Sequence, residues 1–560
     1  MTDQQPLSRR AARNANAKPA KAPRAAKKGK SGADPTVTDG SVTDSSVTDD
    51  SGKPRSLTPK QRTTLLATAL GVVFVMLSAG AVYAGVQVGS QTTAPKPPID
   101  LPIEDRLVPL DIAQPAILRT CSVSELAENA RLGVFSGTVI NIDTGEVLFD
   151  RDGDAGATPA DLVKVLTGVA AIASLGPDFQ FTTRVYAGTE PGSIVLVGGG
   201  DPTLSRLPSG QESLYRGAPK LATLASATQS AWDTLNPPTE VPAPSPSPTP
   251  SPTPSEDPED PEGPEPSPTP SPTPTPPPAP TFVKQPITKI FYDTTAWSSA
   301  DTWNTDWESS ALTSGTVPRI VPLMIDGDRA DPSSFTSARS SDPAARAAQT
   351  FASALGVSSA TVVPGAVSPG ATLLAEVSSQ PVDVLVRYMI ATHDNTLAEM
   401  LARKVSSEAG LNGSASSLNQ VIPGAVAQLG LDGSQIFVVD GSGLSPKSTV
   451  PPSLMAQLMK ELGEETGHQL AVYEPLAVAG DSGSLASRFS GANEPARGHV
   501  KGMSGATATA RTLAGLISAE DGTNLAFAFY ALGSVDANAD AALDSLTAAV
   551  FACGNSLSNY

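Results

Sequence analysis

The pattern of apolar and polar positions predicts a series of strands and helices after residue 120. Residues 137–149 hold two strand-type runs on either side of a Thr-Gly turn, which is typical of a hairpin. Residues 159–174 are apolar on most faces of a helix, so we expect a buried helix there. Two further strands are predicted over 181–186 and 193–197.

The second half of the chain continues this alternation of strands and helices. The predicted helices are 344–355, 382–405, 452–462 and 539–552, and the predicted strands are 361–363, 435–439, 499–503, 509–517 and 525–532. The fold class that this pattern indicates is α+β, with an antiparallel core sheet and helices packed on it.

An uncharged apolar run covers residues 65–86 and is long enough to cross a bilayer at a rise of about 1.5 Å per residue. We therefore predict a transmembrane helix over 63–86, preceded by a cytoplasmic tail (1–62) and followed by a juxtamembrane linker (87–120). Lys and Arg are concentrated before the run, which places the N-terminus in the cytoplasm and the C-terminal part outside. A cleaved signal peptide is the alternative, although its charged region would be unusually long.

Charge is distributed unevenly between the tail and the rest of the chain. Residues 1–62 carry 13 Lys and Arg against 6 Asp and Glu, a net +7, so the remainder is net −25 within a total of −18. An acidic bulk argues against nucleic acid as a partner. The tail itself has few apolar residues and is predicted to be disordered.

Residues 237–281 form a low-complexity segment of Ser-Pro and Thr-Pro dipeptides with seven acidic residues and no basic one. Such a composition cannot bury a core and is typical of an extended, polyproline-like chain. The segment lies between a predicted helix (220–235) and a predicted strand (287–292). We interpret it as an insertion within a domain and not as a hinge between domains.

The chain has two cysteines, Cys121 and Cys553, one near each end of the predicted outer part. An oxidising compartment permits a disulfide, and the termini of a domain often lie close together. We predict one bridge between them, with two buried free thiols as the alternative.

The start of the predicted helix at residues 158–168 has two interpretations. As structure, Thr158 is a natural N-cap, Pro159 suits the first helical position, and Asp161 is the acid of a capping box. As chemistry, Asp161 and Lys164 lie three residues apart on one helical face, as do the residues of a Ser-x-x-Lys site. The rest of the chain decides whether the second interpretation is warranted.

Six motifs occur in one order along the chain, at residues 140–148, 175–178, 198–203, 393–403, 440–445 and 476–480. This ordered set resembles the class C low-molecular-mass penicillin-binding proteins, the D-alanyl-D-alanine carboxypeptidase/endopeptidase family. The resemblance covers about residues 121–555. It implies a transpeptidase-like domain formed by residues 121–200 and 370–560, interrupted by one or more inserted domains at 201–369 that contain the Pro-rich segment.

Family members cleave the terminal D-Ala-D-Ala bond or the peptide crosslinks of peptidoglycan with a serine nucleophile, a lysine, a Ser-x-Asn motif and a Lys-Thr-Gly strand. The resemblance places these roles on the following positions of this chain: Asp161 and Lys164, His393 and Asn395, and Met503, Ser504 and Gly505. The hydroxyl nucleophile is thus replaced by a carboxylate, the second serine by an imidazole, and the substrate-binding cation by a thioether.

These three replacements favour a protein without catalysis. Loss of a serine nucleophile typically costs about 10⁶ in rate, and Asp161 would repel the anionic end of the peptide. Lys501 lies about 7 Å before Met503 on the same strand face and could partly compensate. Asp161 with Lys164 is most simply an ion pair, and His393 is either a structural residue or a new general base.

Three functions remain open at this point, and whether the chain is an enzyme is uncertain. The preferred hypothesis is a single-pass protein of the bacterial plasma membrane that is catalytically silent and binds a peptidoglycan stem peptide or a wall-synthesis protein. The alternatives are a rewired DD-peptidase in which Asp161 activates water, and a passive spacer in the wall. No cofactor is implied. A metal site of Asp161, His393 and Asp394 is disfavoured beside a lysine, so no metal is predicted.

Overall fold

A computed structural model describes residues 118–241, 280–464 and 469–559 of the 560-residue chain. Within these ranges no helix is long and apolar enough to cross a membrane. The predicted tail, transmembrane helix and most of the linker (1–117) lie outside the described residues, as does most of the Pro-rich segment. Their predictions stay untested.

The described residues contain the strands β1 (Cys121–Ser122), β2 (Val134–Asn141), β3 (Val147–Arg151), β4 (Thr182–Ala187), β5 (Ser193–Val197), β6 (Thr239–Val241), β7 (Thr281–Val283), β8 (Lys289–Asp293), β9 (Thr361–Pro364), β10 (Leu373–Ser378), β11 (Ala477–Val478), β12 (Val500–Ala506), β13 (Ala510–Ser518), β14 (Asn524–Leu532) and β15 (Leu557–Ser558). Their α-helices are α1 (Ser124–Ala127), α2 (Val163–Leu175), α3 (Leu221–Leu235), α4 (Ala311–Ser314), α5 (Pro343–Ala354), α6 (Val382–Thr392), α7 (Asn395–Glu408), α8 (Leu418–Ala427), α9 (Pro452–Glu464), α10 (Leu470–Tyr473) and α11 (Ala537–Cys553).

The first sheet is antiparallel, with the strand order β11-β12-β13-β14. The predicted hairpin β2-β3 lies beside it, since the Ile142 amide donates to the Asn524 carbonyl and Gly133 forms a bridge with Leu532. Helix α9 packs against β14 and β13, and α11 packs against β13 as well. Because both faces are covered, β14 is buried along almost its whole length. The predicted α+β class with an antiparallel core sheet is confirmed for this part.

Helix α2 is the centre of the helical layer. Its residues 163–172 are all buried, as the apolar pattern predicted. Helices α6, α7 and α8 pack around it, and their apolar faces join one continuous core with residues of α9 and the sheet. Most predicted helix and strand positions agree with the structure to within a few residues.

Two predicted elements are wrong. The helix expected over 382–405 is two helices, α6 and α7, separated at His393 and Asp394. His393 ends α6 in a left-handed conformation (φ 55°), and the Asp394 side chain accepts the Leu397 amide to cap α7. The strand expected over 435–439 is only a single bridge between Phe437 and Thr449.

The second sheet has the strand order β10-β4-β5-β8-β9. Strands β10, β4 and β5 are antiparallel, whereas β5, β8 and β9 are parallel. Helices α3 and α5 cover it with a separate apolar core. This sheet takes strands from residues 182 to 378 and therefore extends past the predicted inserted region 201–369 on both sides. The division into domains stays a prediction.

The ends of the Pro-rich segment meet each other. Strand β6 pairs with β7 in an antiparallel ribbon, with Val241 opposite Thr281. Helix α3 ends six residues before Val241, and β8 begins at Lys289, so both flanks of the segment belong to the second sheet and its helical cover. This arrangement agrees with an insertion within one structural unit.

Cys121 and Cys553 form the predicted disulfide, with their Cα atoms 5.5 Å apart. The bridge lies beside a parallel pairing of β1 with β15, in which Cys121 is opposite Leu557. The first and last strands of the described chain are therefore joined both covalently and by backbone hydrogen bonds.

Candidate active site

Asp161 lies in a tight turn that leads into α2. Residues Ala160–Leu162 form a single 3₁₀ turn, and Ala160 is in the left-handed region (φ 50°) although it is fully buried. A non-glycine residue held in this conformation costs on the order of 1–3 kcal/mol, and such strain is concentrated at functional sites. The surrounding contacts hold this turn in place, since the Thr512 hydroxyl donates to the Pro159 carbonyl at 3.0 Å.

The capping-box interpretation of this turn is wrong. No side chain caps the 3₁₀ turn or the start of α2, and the Thr158 hydroxyl is buried without a partner among the described residues. The Asp161 carboxylate is directed away from the Thr158 backbone. Its two oxygens have other partners, which are Lys164 and the backbone of β12.

Lys164 is fully buried and binds two acceptors. Its ammonium donates to Asp161 Oδ1 at 2.5 Å and to the Ser442 carbonyl at 2.7 Å. The side chain of Asp161 is 19% exposed, so the pair lies at the bottom of an opening and not in the interior. The predicted ion pair between these two motif positions is confirmed.

The end of β12 supplies the second partner of Asp161. The Ala506 amide donates to Asp161 Oδ2 at 3.1 Å. Gly505 packs so closely on the turn that a Cβ there would be 2.8 Å from the Asp161 nitrogen and 3.0 Å from the Ala160 Cβ. A glycine is therefore required at this position for β12 to approach the start of α2.

His393 faces the same opening. Burial lowers the pKa of its imidazole, with the charge of Lys164 acting in the same direction and that of Asp161 against it. The imidazole is therefore held mainly in its neutral form at pH 7. His393 is therefore close enough to Asp161 and Lys164 for their charges to act on its imidazole.

Asp394 points the other way, into a buried ion pair. Its carboxylate accepts the Arg329 guanidinium at 2.9 Å and the Tyr215 hydroxyl at 3.1 Å. Burial raises the pKa of Asp394, but the charges of Arg329 and Arg339 and the hydrogen bonds from Arg329 and the Leu397 amide together hold it below its usual range. Because this carboxylate is committed to Arg329, it does not join Asp161 and His393 as a third ligand.

Asn395 begins α7 beside this pair. Its side-chain amide donates to the Thr316 carbonyl at 3.2 Å. Its Oδ1 is buried and has no partner among the described residues.

The third motif lies on β12 with alternating orientation. Met503 is 1% exposed and belongs to the core between the sheet and the helices, whereas Ser504 is half-buried and its hydroxyl donates to the Ser484 hydroxyl at 2.9 Å. The Lys501 ammonium lies 4.0 Å from the centre of the Tyr473 ring. Lys501 is thus engaged with an aromatic ring on α10.

A buried loop that the sequence did not assign to the site forms its floor. A Cβ on Gly443 (φ 80°) would be 1.9 Å from the Ala160 carbonyl oxygen, so the loop touches the turn directly. Glu399 Oε1 accepts the amides of Gly441 and Ser442 and holds the loop from α7. Burial, with the charge of Asp440, raises the pKa of Glu399 to about 7. The motif at residues 440–445 is the feature of the sequence that could have indicated this loop as part of the site.

The structure therefore brings together Asp161, Lys164, His393 and the Gly505-Ala506 end of β12. Met503 belongs to the same strand but faces the core, and Asn395 and Ser504 lie at the margin. Among the described residues, no group of three His, Cys, Asp or Glu side chains could hold a metal ion. The arrangement presents a carboxylate held by an ammonium and a backbone amide, beside a neutral imidazole.

Comparison with known proteins identifies the family of this chain. A sequence profile of the D-Ala-D-Ala carboxypeptidase 3 (S13) family matches residues 120–222 and 329–550. The chain belongs to this family. The S13 match omits residues 223–328, which include the Pro-rich segment. The resemblance found in the sequence is confirmed.

Relatives of this S13 chain cover most of its length. The protein named Carboxypeptidase DacB of Mycolicibacterium smegmatis is 28% identical over 510 residues, 88% of this chain and 98% of its own. The D-alanyl-D-alanine carboxypeptidase of an Actinomadura species is 28% identical over 431 residues, 72% of this chain and 78% of its own. The crystal structure of penicillin binding protein 4 from Haemophilus influenzae shares the fold, with a TM-score of 0.56 at 18% identity over 78% of this chain and 99% of that one.

Proposed function

We propose that this chain is a catalytically silent S13 protein that binds peptidoglycan stem peptide outside the cell without cleaving it. The observation that carries the proposal is the state of Asp161. Its carboxylate stands where family members have the serine nucleophile, and it is held there by Lys164 and the Ala506 amide. A side chain fixed in this way leaves no group in position to form an acyl-enzyme.

Chemistry at Asp161 would be unproductive for two reasons. The serine nucleophile is absent, and its loss typically costs about 10⁶ in rate. The Ala506 amide also donates to this carboxylate, so it is not free to stabilise a negative oxygen on a substrate.

The edge of β12 is the surface on which we place the bound peptide. Strand β11 pairs only with Lys501 and Gly502, so within the described residues no strand covers the edge at 503–506. An extended peptide adds to such an edge through main-chain hydrogen bonds. Met503 offers no cation for a terminal carboxylate, which favours recognition of the peptide backbone.

The position of the protein in the cell is part of the proposal. The uncharged run at 65–86 and the basic residues before it support a single-pass anchor in the plasma membrane with the N-terminus in the cytoplasm. The disulfide supports an oxidising compartment for the folded part. The wall and its peptides lie on that side of the membrane.

The proposal is tested by comparing acylation with binding in the full-length protein. We expect no labelling by a fluorescent penicillin and no release of D-Ala from a stem pentapeptide. We expect calorimetry to detect binding of the same pentapeptide. Asp161→Ser should restore a hydroxyl at this position, and labelling of that variant alone would show that the rest of the site is intact.

Two results would contradict this function. Penicillin labelling of the wild type that is lost in Lys164→Ala, and kept in the surface control Lys460→Ala, would indicate a working DD-peptidase. Lack of pentapeptide binding would leave a wall-synthesis protein as the partner or a passive spacer as the role. Capture of a wall-synthesis enzyme by the wild type would separate these two.

A rewired peptidase is the second candidate, and one observation favours it. His393 is kept neutral beside Asp161, which suits a general base that activates water. This mechanism requires slow D-Ala release that is abolished in His393→Ala. D-Ala release with no penicillin labelling would therefore support the second candidate over the first.

A further inference from the structure

An open cleft of about 690 Å³ lies outside the site, beside the 440–445 loop. Its walls come from residues 298–306, 412–419 and 437–439. Two contacts fix these walls to each other, since the Ser298 amide donates to the Asn412 carbonyl and the Asn304 side chain donates to the Val439 carbonyl. The volume lies within the range of about 300–1,000 Å³ that ligand sites occupy.

Two aromatic rings line this cleft. Phe437 is 49% exposed, although it is an apolar residue on the surface of a folded domain. Trp303 is half-buried and is held in an edge-to-face contact with Trp307, whose ring centroid is 5.2 Å away. The Arg319 guanidinium lies over the Trp303 ring, 5.9 Å from its centre, so one face of this ring is occupied. A rigid aromatic ring is the group that packs on the flat apolar side of a ligand.

The remaining lining is polar and consists of short side chains of Ser, Thr, Asn and Asp. Asn412 and Asn419 each use their oxygen to accept a backbone amide, of Ser414 and Val438 respectively. Within the described part of the chain their NH₂ groups have no acceptor. They are donors already oriented by the fold, without a partner in the protein.

The charge of the lining restricts the ligand. Asp301 and Asp306 contribute carboxylates, and no Lys or Arg lines the cleft. Asp301 accepts from Arg403 and from the Ala415 amide, so it is fixed in place. Asp306 likewise pairs with Lys447, so both carboxylates are neutralised by cations outside the lining. The described lining therefore offers no free cation to a phosphorylated or otherwise anionic polymer, whereas an uncharged hydroxyl-rich one would find both donors and acceptors.

We propose that this cleft binds an uncharged oligosaccharide of pyranose rings, the chemistry of the glycan strands that carry wall peptides. Trp303 and Phe437 stack on the sugar faces, and Asn412 and Asn419 donate to ring hydroxyl or acetamido oxygens. None of the described strands lines the cleft, so the cleft offers no strand edge to which an extended peptide could add. The inference goes beyond peptide binding at Asp161, because it concerns another part of the wall polymer and another surface.

The cleft is connected to the Asp161 site through a buried carboxylate. Trp307 donates to Asp440 Oδ2 at 2.8 Å, and the same loop presents the Ser442 carbonyl to Lys164. A glycan strand in the cleft would thus lie behind the loop that forms the floor of the peptide site. One chain could hold both components of the same polymer.

The test is titration of the full-length protein in lipid nanodiscs with a β-1,4-linked tetramer of N-acetylglucosamine, followed by calorimetry. We expect binding at about 1 mM or tighter, weakened about tenfold in Phe437→Ala and also weakened in Asn412→Ala. Phe282→Ala is the matched control, because that ring is 60% exposed on the β6-β7 ribbon outside the cleft. The Phe282→Ala variant should bind the tetramer as tightly as the wild type does.

Absence of tetramer binding to the wild type would overturn the proposal. It would also be overturned if Phe437→Ala and Asn412→Ala both bound the tetramer as tightly as the wild type does. Displacement of the tetramer by a stem pentapeptide would show that the cleft takes peptide instead. The tetramer carries no peptide, so its binding does not depend on the Asp161 site. Failure of pentapeptide binding and failure of tetramer binding are therefore separate results.

Discussion

At the residue scale, Asp161 shows how a carboxylate is held at the start of α2. Its two oxygens bind the Lys164 ammonium and the Ala506 amide, and neither bond was part of the capping-box interpretation. The ion pair follows from the spacing of three along a helix. The bond to Ala506 joins residues 345 positions apart, so it depends on how β12 packs on the turn.

Replacement of Lys164 by methionine tests this ion pair. We expect Lys164→Met to lower the free energy of unfolding by about 2–4 kcal/mol, because it leaves the Asp161 carboxylate without its cation. The loss is less than for a fully buried pair, since Asp161 is 19% exposed. Urea unfolding of the full-length protein measures it.

Two further variants control for this effect. Asp161→Asn in the Lys164→Met background should recover part of the stability, since no unpaired charge remains. Lys460→Met removes a half-buried ammonium that pairs with the more exposed Glu464 along one helix, and we expect a change below about 1 kcal/mol. Equal losses in Lys164→Met and Lys460→Met would contradict the structural role of the pair.

Glu399 makes stability depend on pH. Its pKa is about 7 in the folded protein against an ordinary value of 4.5, so the folded state holds the proton more tightly. Stability is therefore greatest below about pH 4.5 for this group and falls as the pH rises through 7. Each unit of the shift corresponds to about 1.4 kcal/mol.

The variant Glu399→Gln should remove this dependence. It keeps an acceptor for the Gly441 and Ser442 amides and brings an NH₂ group near the Ser442 hydroxyl, which has no partner among the described residues. We expect the variant to gain stability over the wild type at pH 8 and to lose the advantage at pH 5. Thermal unfolding of both proteins at pH 8 and at pH 5 measures this difference in stability. If Glu399→Gln kept the full pH dependence of stability seen in the wild type, the attribution of that dependence to Glu399 would be contradicted.

At the element scale, the break between α6 and α7 decides which residues reach the site. The sequence of 382–405 has no Gly or Pro and predicts one helix by periodicity alone. The helix nevertheless ends at His393, because the following Asp394 is drawn into contact with Arg329 and Tyr215. These partners lie 65 and 179 residues away, and no local pattern could have shown them.

Asp394→Ala tests the importance of this break. The change leaves the Arg329 guanidinium buried without its carboxylate and removes the cap of α7, so we expect a loss of about 3–5 kcal/mol. Denaturant unfolding measures the difference. Asp383→Ala is the control, because Asp383 pairs with Arg387 at the exposed surface of α6 and should contribute below about 1 kcal/mol. A small loss in Asp394→Ala would show that another contact ends α6.

At the scale of the whole molecule, two sheets and one disulfide organise the described chain. The antiparallel sheet carries the motif strand β12, and the mixed sheet carries the flanks of the Pro-rich segment. The bridge between Cys121 and Cys553 spans 432 residues along the chain. It closes the fold at the pairing of β1 with β15.

Removal of this disulfide should reduce stability without changing the fold. We expect Cys121→Ser with Cys553→Ser to lose about 2–5 kcal/mol, because a long loop in the unfolded chain is no longer closed. Unfolding with and without reductant measures the effect. The double variant should be insensitive to reductant, while the wild type under reductant should match it. An unchanged midpoint in the double variant would contradict this expectation.

The sequence by itself determined most of the elements, the family and the disulfide partners, because apolar periodicity and motif order can be read along the chain. Tertiary structure alone decided the partners of Asp161, the break at His393 and the aromatic cleft behind the loop. Each of these depends on groups distant in sequence that meet only when the sheets and helices pack. At the turn that leads into α2, the buried Lys164 pairs with the Asp161 carboxylate, and the Ala506 amide at the end of β12 binds the other oxygen of that carboxylate.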